Sequence, residues 1–442
     1  MKKFIFIQIF ILLSSINSFS QNNNPKLIGY WQNWQDPASP YIPLTSVDSA
    51  YNVIPVAFAI PSVGSTYNMV FSPDVGTVQQ FINDVQTVQS QGKEVLISIG
   101  GATANIELND TNERNVFVST MMTIINTYGF DGIDIDIEGG SLNVSGGTIA
   151  NPVDARIINL IDAIEMIMHN YRSQHGRKLL LSFAPETAYV QGGMSSYGGI
   201  WGAYLPVLHA LRDSIDYLHV QLYNSGTMYG IDGQIYSQGT ADFIVSQTEA
   251  LLQGFNTQGG FFSPFSAEQV VVGLPACPSA AGGGYVHPDT VMAAIRYLFG
   301  TGPQPANYVK VSSYPNLRGM MDWSINWDAQ VNCGPYYEFA RNYEMIFQKT
   351  TGITQNTSST GTGFKFRFHP KPLRVGGALN IDDAGNLVYL KVYDVLGREV
   401  RSFTRSQILS GQLKMNIPSG TYFLSVETIK GEVFSSRIMI LK

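Results

Sequence analysis

Cysteine is nearly absent: Cys277 and Cys333 are the only two in 442 residues. That excludes a disulfide-stapled scaffold and any metal site built on clustered thiolates. An exported chain could join the pair, and two buried free thiols are equally compatible with the count. Histidine is sparse too, six residues without metal-ligand spacing, so neither a metal nor another cofactor is implied. His219 reads as a satisfied core residue rather than a catalyst. Charged residues are only 14% of the chain and the formal net charge is −6, which offers no basic surface to a nucleic acid. Long apolar runs are missing as well. The stretch 4–13 is too short to span a bilayer, and no later segment qualifies as a membrane span.

That short run is informative in another way. Lys2 and Lys3 precede it and small polar residues follow it up to Ser20, the pattern of an export signal covering residues 1–20. The mature chain is therefore expected to begin near Gln21 and to work outside the cytoplasm.

Between residues 26 and 348, β-type apolar runs alternate with helical patterns. Strands are predicted at 26–31, 53–60, 94–100, 129–138, 178–185, 217–223, 269–275 and 319–324. Helical spacing runs through Phe117, Met121, Ile124, Ile125 and Tyr128, stopped by Gly129, and through Ile157, Leu160, Ile161, Ile164 and Met168, ending before Gly176. Further helices fit 202–212, 241–252, 290–299 and 336–347. Eight such alternations suit an α/β fold of the (β/α)8, TIM-barrel type over residues 21–349. A doubly wound open sheet is the competitor, but its Gly-rich nucleotide loop is missing after the first strand, where Tyr30, Trp31 and Trp34 stand instead.

The fourth strand is unusual. In Asp131-Gly-Ile-Asp134-Ile-Asp136-Ile-Glu138, three acids alternate with three isoleucines. Strand side chains point to opposite faces in turn, so Asp134, Asp136 and Glu138 share one face. In isolation this fits a wet edge strand. In a barrel the isoleucines face the helices, the acids face the interior, and Glu138 stands at the C-terminal rim where such folds build active sites. Carboxylates roughly 6.6 Å apart along a strand cannot all ionise easily. A shared proton is expected, which suits Glu138 to general-acid work. Asp131 has the opposite parity and reads as structural.

Other strand ends supply Ser98-x-Gly100-Gly101, Ser182 to Glu186, Gln221-x-Tyr223-Asn224 and Asp322-Trp323. Aromatic faces beside amides and hydroxyls suit a sugar. Together, the four-acid signature, the Ser98-x-Gly100-Gly101 motif, the Gln221-x-Tyr223-Asn224 motif and Trp323 closely resemble glycoside hydrolase family 18, the chitinases and related endo-β-N-acetylglucosaminidases. The resemblance covers residues 26 to about 348.

What it implies is a substrate-assisted retaining hydrolysis. Glu138 would protonate the glycosidic oxygen while the substrate's own acetamido carbonyl attacks the anomeric carbon. Asp136 would hold the acetamido N–H with Asp134 behind it, and Tyr223 would hydrogen-bond the acetamido oxygen. Trp323 would floor the sugar subsite. Tyr30, Trp31, Gln221, Asn224, Ser98, Gly100 and Gly101 are the other candidates for binding substrate. Many members carry Asp where this chain has Asn224, which removes a titrating neighbour and can alter the pH profile. The α+β insertion that walls the cleft of chain-end-acting members has no room between the seventh and eighth strands, which implies internal cleavage. Cys277 and Cys333 would follow the ends of those two strands, so a loop-to-loop disulfide is geometrically plausible.

Residues 350–366 turn to Thr, Ser, Gly and Asn without periodicity and read as a linker. Beyond it, 387–394, 413–417, 421–427 and 433–441 read as strands of a small β-sandwich over 367–442, with turns at 396–398 and 418–420. The segment 389–400, with Ser419 to Tyr422 and the end of the chain, resembles the C-terminal sorting domain of the Bacteroidetes type IX secretion pathway. A carbohydrate-binding module is the alternative, and the tail has no tryptophan. The expectation is a monomeric, secreted or surface-attached endo-chitinase with chitin as substrate and the type IX machinery as partner. An endo-β-N-acetylglucosaminidase of N-glycan cores is the runner-up. A non-catalytic sugar-binding protein is the third reading, against which the acid Glu138 is retained.

Overall fold

The structure, a computed structural model, describes residues 25–347 and 368–442, apart from 371, 382–383, 395–397, 411–412, 429–432 and 442. The expected leader (1–20) and linker (350–366) lie outside the described residues, as does most of the turn expected at 396–398. The chain divides into two compact units, Met1–Lys349 and Thr350–Lys442.

The first unit is a (β/α)8 barrel. Its strands are β1 (Lys26–Gly29), β2 (Val53–Pro61), β3 (Glu94–Gly100), β4 (Gly132–Asp136), β5 (Leu180–Phe183), β6 (Tyr217–Leu218), β7 (Val271–Pro275) and β8 (Gly319–Trp323). They pair in parallel in the order β7-β8-β1-β2-β3-β4-β5-β6. Parallel bridges from Leu218 to Val270 and from Gln221 to Gly273 close the ring between β6 and β7. Closure excludes the open sheet.

Alternation does what it should on β4. Ile133, Ile135 and Ile137 are buried in the layer between barrel and helices, where Phe117 and Met121 of the helix Thr111–Tyr128 and Leu160 and Ile164 of the helix Ala155–His175 are buried too. Both helices stop where the sequence says. Gly129 and Gly176 adopt left-handed conformations at φ 73° and 69°, accessible to glycine at no steric cost. The helix expected over 202–212 is shorter, only Leu205–Ala210, with Pro206 in its first turn. Not anticipated are the polar helix Val78–Ser90, which buries only Phe81, Val85 and Val88, and two hairpins, Thr227–Tyr229 with Ile235–Ser237 and Phe255–Thr257 with Gly260–Phe262.

Between β7 and β8 the described residues contain one helix, Pro288–Phe299, and otherwise loop. That loop is tied down by a buried acid. Glu249, on the helix Ala241–Gln253, accepts hydrogen bonds from the hydroxyls of Tyr308 (2.8 Å) and Tyr314 (2.5 Å) and from the N–H groups of Val311 and Ser312. Cys277 and Cys333, past the ends of β7 and β8, are joined by a disulfide with their Cα atoms 5.5 Å apart.

The second unit packs a five-stranded sheet and a three-stranded one around a single core. The larger runs Leu373–Arg374, Val433–Leu441, Gly420–Thr428, Leu387–Tyr393, Glu399–Phe403, and the smaller Phe368–His369, Ala378–Ile381, Leu413–Lys414. Leu390, Val392, Leu424, Val426, Ile438 and Ile440 alternate into the core, as period-two strands require.

Glu249→Ala strips the acceptor from two buried tyrosine hydroxyls and two backbone N–H groups. It should lower unfolding free energy by about 3 kcal/mol or more. Denaturant unfolding that left the midpoint unchanged would refute this role for Glu249.

Candidate active site

The acid row occupies the barrel interior at two depths. Asp134 is fully buried. Its Oδ2 accepts from the hydroxyls of Tyr30 (2.6 Å) and Ser98 (2.7 Å), and its Oδ1 from that of Ser182 (2.7 Å). Register explains the match, because Ser98 on β3 and Ser182 on β5 lie directly beside Asp134 on β4. His219 Nε2 lies 3.4 Å from Oδ1. Burial pushes that imidazole below its ordinary value, partly opposed by Asp134, so it is neutral at pH 7. No lysine or arginine pairs with Asp134 among the described residues.

Asp136 lies one layer higher, 3% exposed. Its carboxyl is held well above the usual range, first by burial and then by the negative charges of Glu138 and Asp134, with a hydrogen bond to Glu138 adding to the effect. Gln221 Nε2 stands between the two acids, 2.9 Å from Asp136 Oδ1 and 2.9 Å from Glu138 Oε1. A proton retained by this pair lies within one hydrogen bond of the rim. Tyr223, nearly buried, is pushed well above its ordinary value by burial and by Asp136 and Glu138. It therefore keeps its O–H and can donate.

The end of β4 is fixed from both sides. A Cβ on Gly100 would come within 2.2 Å of the Asp136 carbonyl oxygen, and the Gly101 N–H donates to that oxygen at 2.8 Å. Only glycine permits this approach, with Gly100 at φ 121°. From the other side, the Tyr204 hydroxyl accepts from the Ile137 N–H and donates to its carbonyl, both at 2.9 Å. The Gly140 N–H donates to the Tyr189 hydroxyl at 2.8 Å, holding the turn after Glu138.

Above the acids opens a cleft of about 510 Å³, a size suited to a small-molecule or oligomer site. Asp136, Glu138, Gln221, Tyr223, Asn224 and Trp323 line it, with Gly100 and Gly101. Phe58 stacks on Trp323 (centroids 5.8 Å apart, planes at 16°) and Trp34 stacks on Phe58 (6.2 Å, 26°), giving a continuous aromatic wall. Asn224 sits at φ 52°, a left-handed conformation that asparagine tolerates, and its N–H donates to the Gly283 carbonyl at 3.0 Å.

Three expected substrate contacts are elsewhere. Trp31 is fully buried outside the barrel wall, stacked on Phe81 at 5.7 Å with its indole N–H donating to Ile42 O. It follows the inward Tyr30 by one residue, so strand parity turns it away from the cleft. Tyr30 and Ser98 do face inward, but beneath the cleft floor, where their hydroxyls are committed to Asp134. Asp131 accepts from the Val95 N–H (3.0 Å) and from Gln89 Nε2 (2.8 Å) at the base of the strand, away from the cleft. Phe58, Asn33, Phe71, Ser72 and Asp74 line the cleft and were not anticipated. Phe58 sits in an ordinary apolar run and the others in a loop, so no local pattern marks them.

Residues 26–351 match the family model Glycosyl hydrolases family 18. The chain belongs to this family. Chitinase Chi52 of Paenibacillus xylanexedens is 45% identical over 331 residues, covering 72% of this chain and 62% of that protein. Chitinase D of Niallia circulans is 46% identical over 332 residues, with the same two shares. The chain thus spans less than two thirds of the length of these two curated relatives. Chitinase ChiA of Flavobacterium johnsoniae is 32% identical over 425 residues, 89% of this chain and 26% of that one. Among solved structures, a family 18 chitinase from Chromobacterium violaceum aligns with TM-score 0.64 and 36% identity, over 73% of this chain and 83% of that one.

One more carboxyl belongs to the electrostatics here. Burial, then the charge of Glu138, raises Glu186 from 4.5 to about 7. A carboxyl raised on folding binds its proton more tightly in the native state. Its ionisation therefore costs stability progressively as pH climbs from 4.5 to about 7, and the cost is constant above that. Glu186→Gln should flatten part of the decline in melting temperature across that window. Identical slopes for the variant and the parent would reject the assignment.

Proposed function

We propose that this protein is a secreted, endo-acting chitinase that hydrolyses β-1,4-linked N-acetylglucosamine polymers by a substrate-assisted retaining route. The observation that carries the reading is the Asp136–Gln221–Glu138 arrangement under an aromatic-walled cleft, with Asp134 hydrogen-bonded beneath. The relatives named chitinase support the substrate class.

The chemistry follows from the positions. Glu138, at the rim, gives its proton to the glycosidic oxygen as the bond to the anomeric carbon breaks. The acetamido oxygen of the same sugar bonds to that carbon from the opposite face. Tyr223 donates to that oxygen and steers it, while Asp136 accepts from the acetamido N–H and offsets the growing positive charge. Water then opens the cyclic intermediate, with Glu138 taking the proton back, so the anomeric configuration is retained. Trp323 supplies the apolar face on which the sugar ring rests.

Internal cleavage is favoured by the plain connection between β7 and β8, which adds no wall to the cleft among the described residues. We assign the second unit to export through the type IX machinery. The similarity to ChiA covers 89% of this chain, more than the barrel unit alone accounts for. The motif at 389–400 supports the same reading.

Glu138→Gln should reduce the rate on chitin oligosaccharides by about two to four orders of magnitude. A variant as active as the parent would remove Glu138 from the mechanism. Product analysis on chitin oligosaccharides beside a high-mannose glycoprotein tests the substrate. Cleavage of the glycoprotein alone would move the assignment to an endo-β-N-acetylglucosaminidase.

A chain ending at Thr350 should be retained in a host with type IX secretion. Its appearance in the medium at parental levels would reject the sorting role.

A further inference from the structure

The lining of the cleft also takes in Asn33, Trp34, Phe71, Ser72 and Asp74. Among the described residues no lysine, arginine or histidine lines the cleft, and Asp74 is the one lining carboxylate apart from Asp136 and Glu138. Asp74 is exposed, yet its segment is fixed. Asn33, 6% exposed, donates from Nδ2 to the Ser72 carbonyl at 2.8 Å and accepts the Asp74 N–H at Oδ1 (3.3 Å). These bonds tie the loop to the residues that follow β1. No hydrogen bond or ion pair engages the Asp74 carboxylate among the described residues. This part of the lining therefore presents an unneutralised carboxylate to the same cleft as the aromatic wall.

We infer that Asp74 makes the cleft favour a sugar bearing a free ammonium group away from the bond being cut, so that the enzyme prefers partially deacetylated chains with a glucosamine unit seated against Asp74. The inference rests on the proposed hydrolase reading and deepens it. At the bond being cut an acetamide is obligatory, because its oxygen is the nucleophile. An amine there would also lie beside Asp136 with nothing to attack the anomeric carbon. One or more units away no such demand exists, and the local chemistry decides what fits. A neutral acetamide gains little from a carboxylate that can offer it only an acceptor. An ammonium gains a charge-assisted hydrogen bond in a cleft with no competing cation among the described residues. The same carboxylate would repel an anionic sugar, so the preference has a sign as well as a place.

The experiment compares the intact enzyme with Asp74→Asn on fully acetylated chitin oligosaccharides and on chitosan that is about half acetylated. The readout is the ratio of kcat/KM on the second substrate to that on the first. Asparagine keeps the size and removes the charge. The ratio should fall by about three- to five-fold in the variant at low ionic strength, the range of an exposed ion pair. The difference should shrink at about 1 M salt, where the screening length is near 3 Å. Sequencing of the products should find glucosamine at one fixed distance from the cut end in the parent and less of it there in the variant. A ratio unaffected by Asp74→Asn, or a fall insensitive to salt, would overturn the inference while leaving the hydrolase reading intact. A folded parent enzyme inactive on both substrates would overturn that reading and this one with it.

Discussion

Two carboxyl groups stand in the centre of this barrel with no lysine or arginine beside them among the described residues, and much of the architecture answers that fact. Moving a charge out of water is expensive unless it is hydrogen-bonded. For Asp134 the compensation comes from three hydroxyls on three different strand ends, all within 2.7 Å. Each is available only because the ring is closed and the parallel register sets Ser98, Asp134 and Ser182 at one level. A slip of one residue would turn every one of these side chains to the helix layer. Closure of the sheet and satisfaction of the acid are therefore one requirement.

Asp136 is treated differently. It receives no comparable set of hydroxyls, and its surroundings hold the carboxyl well above the usual range, burial first and the Glu138 and Asp134 charges next. The contrast divides the labour. The lower acid is held by donors and the upper one holds its proton more tightly than an ordinary carboxyl. Gln221 links it to the rim, since the same Nε2 reaches both upper carboxyls. The glycines beside them belong to the same device. Without a Cβ atom at Gly100 the third strand can close onto the Asp136 carbonyl, which the Gly101 N–H then holds, and the Asp136 side chain is aimed by its own backbone; the bare Gly101 leaves room for the Phe58 ring. Tyr204, bonding both polar groups of Ile137, pins the next residue from the far side.

Much of this was legible in the sequence, and the reason is periodicity. The isoleucines between the acids mark the helix-facing side of the strand, and eight alternating patterns suit a barrel, which closure of the ring then decides over an open sheet. Parity, applied consistently, also excludes Trp31 from the cleft. Tyr30 and Trp34 on either side carry the same aromatic signal, so residue type alone does not separate the three. The row's partners were visible only in part, because Ser182 carries no signal until register places it beside Asp134. Phe58 looks like any strand residue, and Asp74 like any loop acid. Their significance is entirely tertiary. The same holds for Glu249, an unremarkable helix glutamate that anchors a loop some sixty residues later in the chain through Val311 and Ser312.

Asn224 and Glu186 complete the electrical account of the site. Asparagine at 224, held in a left-handed turn with its N–H on Gly283, places no ionisable group beside Tyr223. A carboxyl does approach from the other side, at the end of the fifth strand, where burial and Glu138 raise Glu186 to about 7. It sits behind Gln221, whose backbone pairs with its own. The charge that Glu138 meets near neutrality therefore depends on a neighbour outside the row. As pH rises through that value, Glu186 gains a negative charge of its own close to the row. The fourth strand supplies the acids, but the fifth adds a carboxyl that titrates beside them.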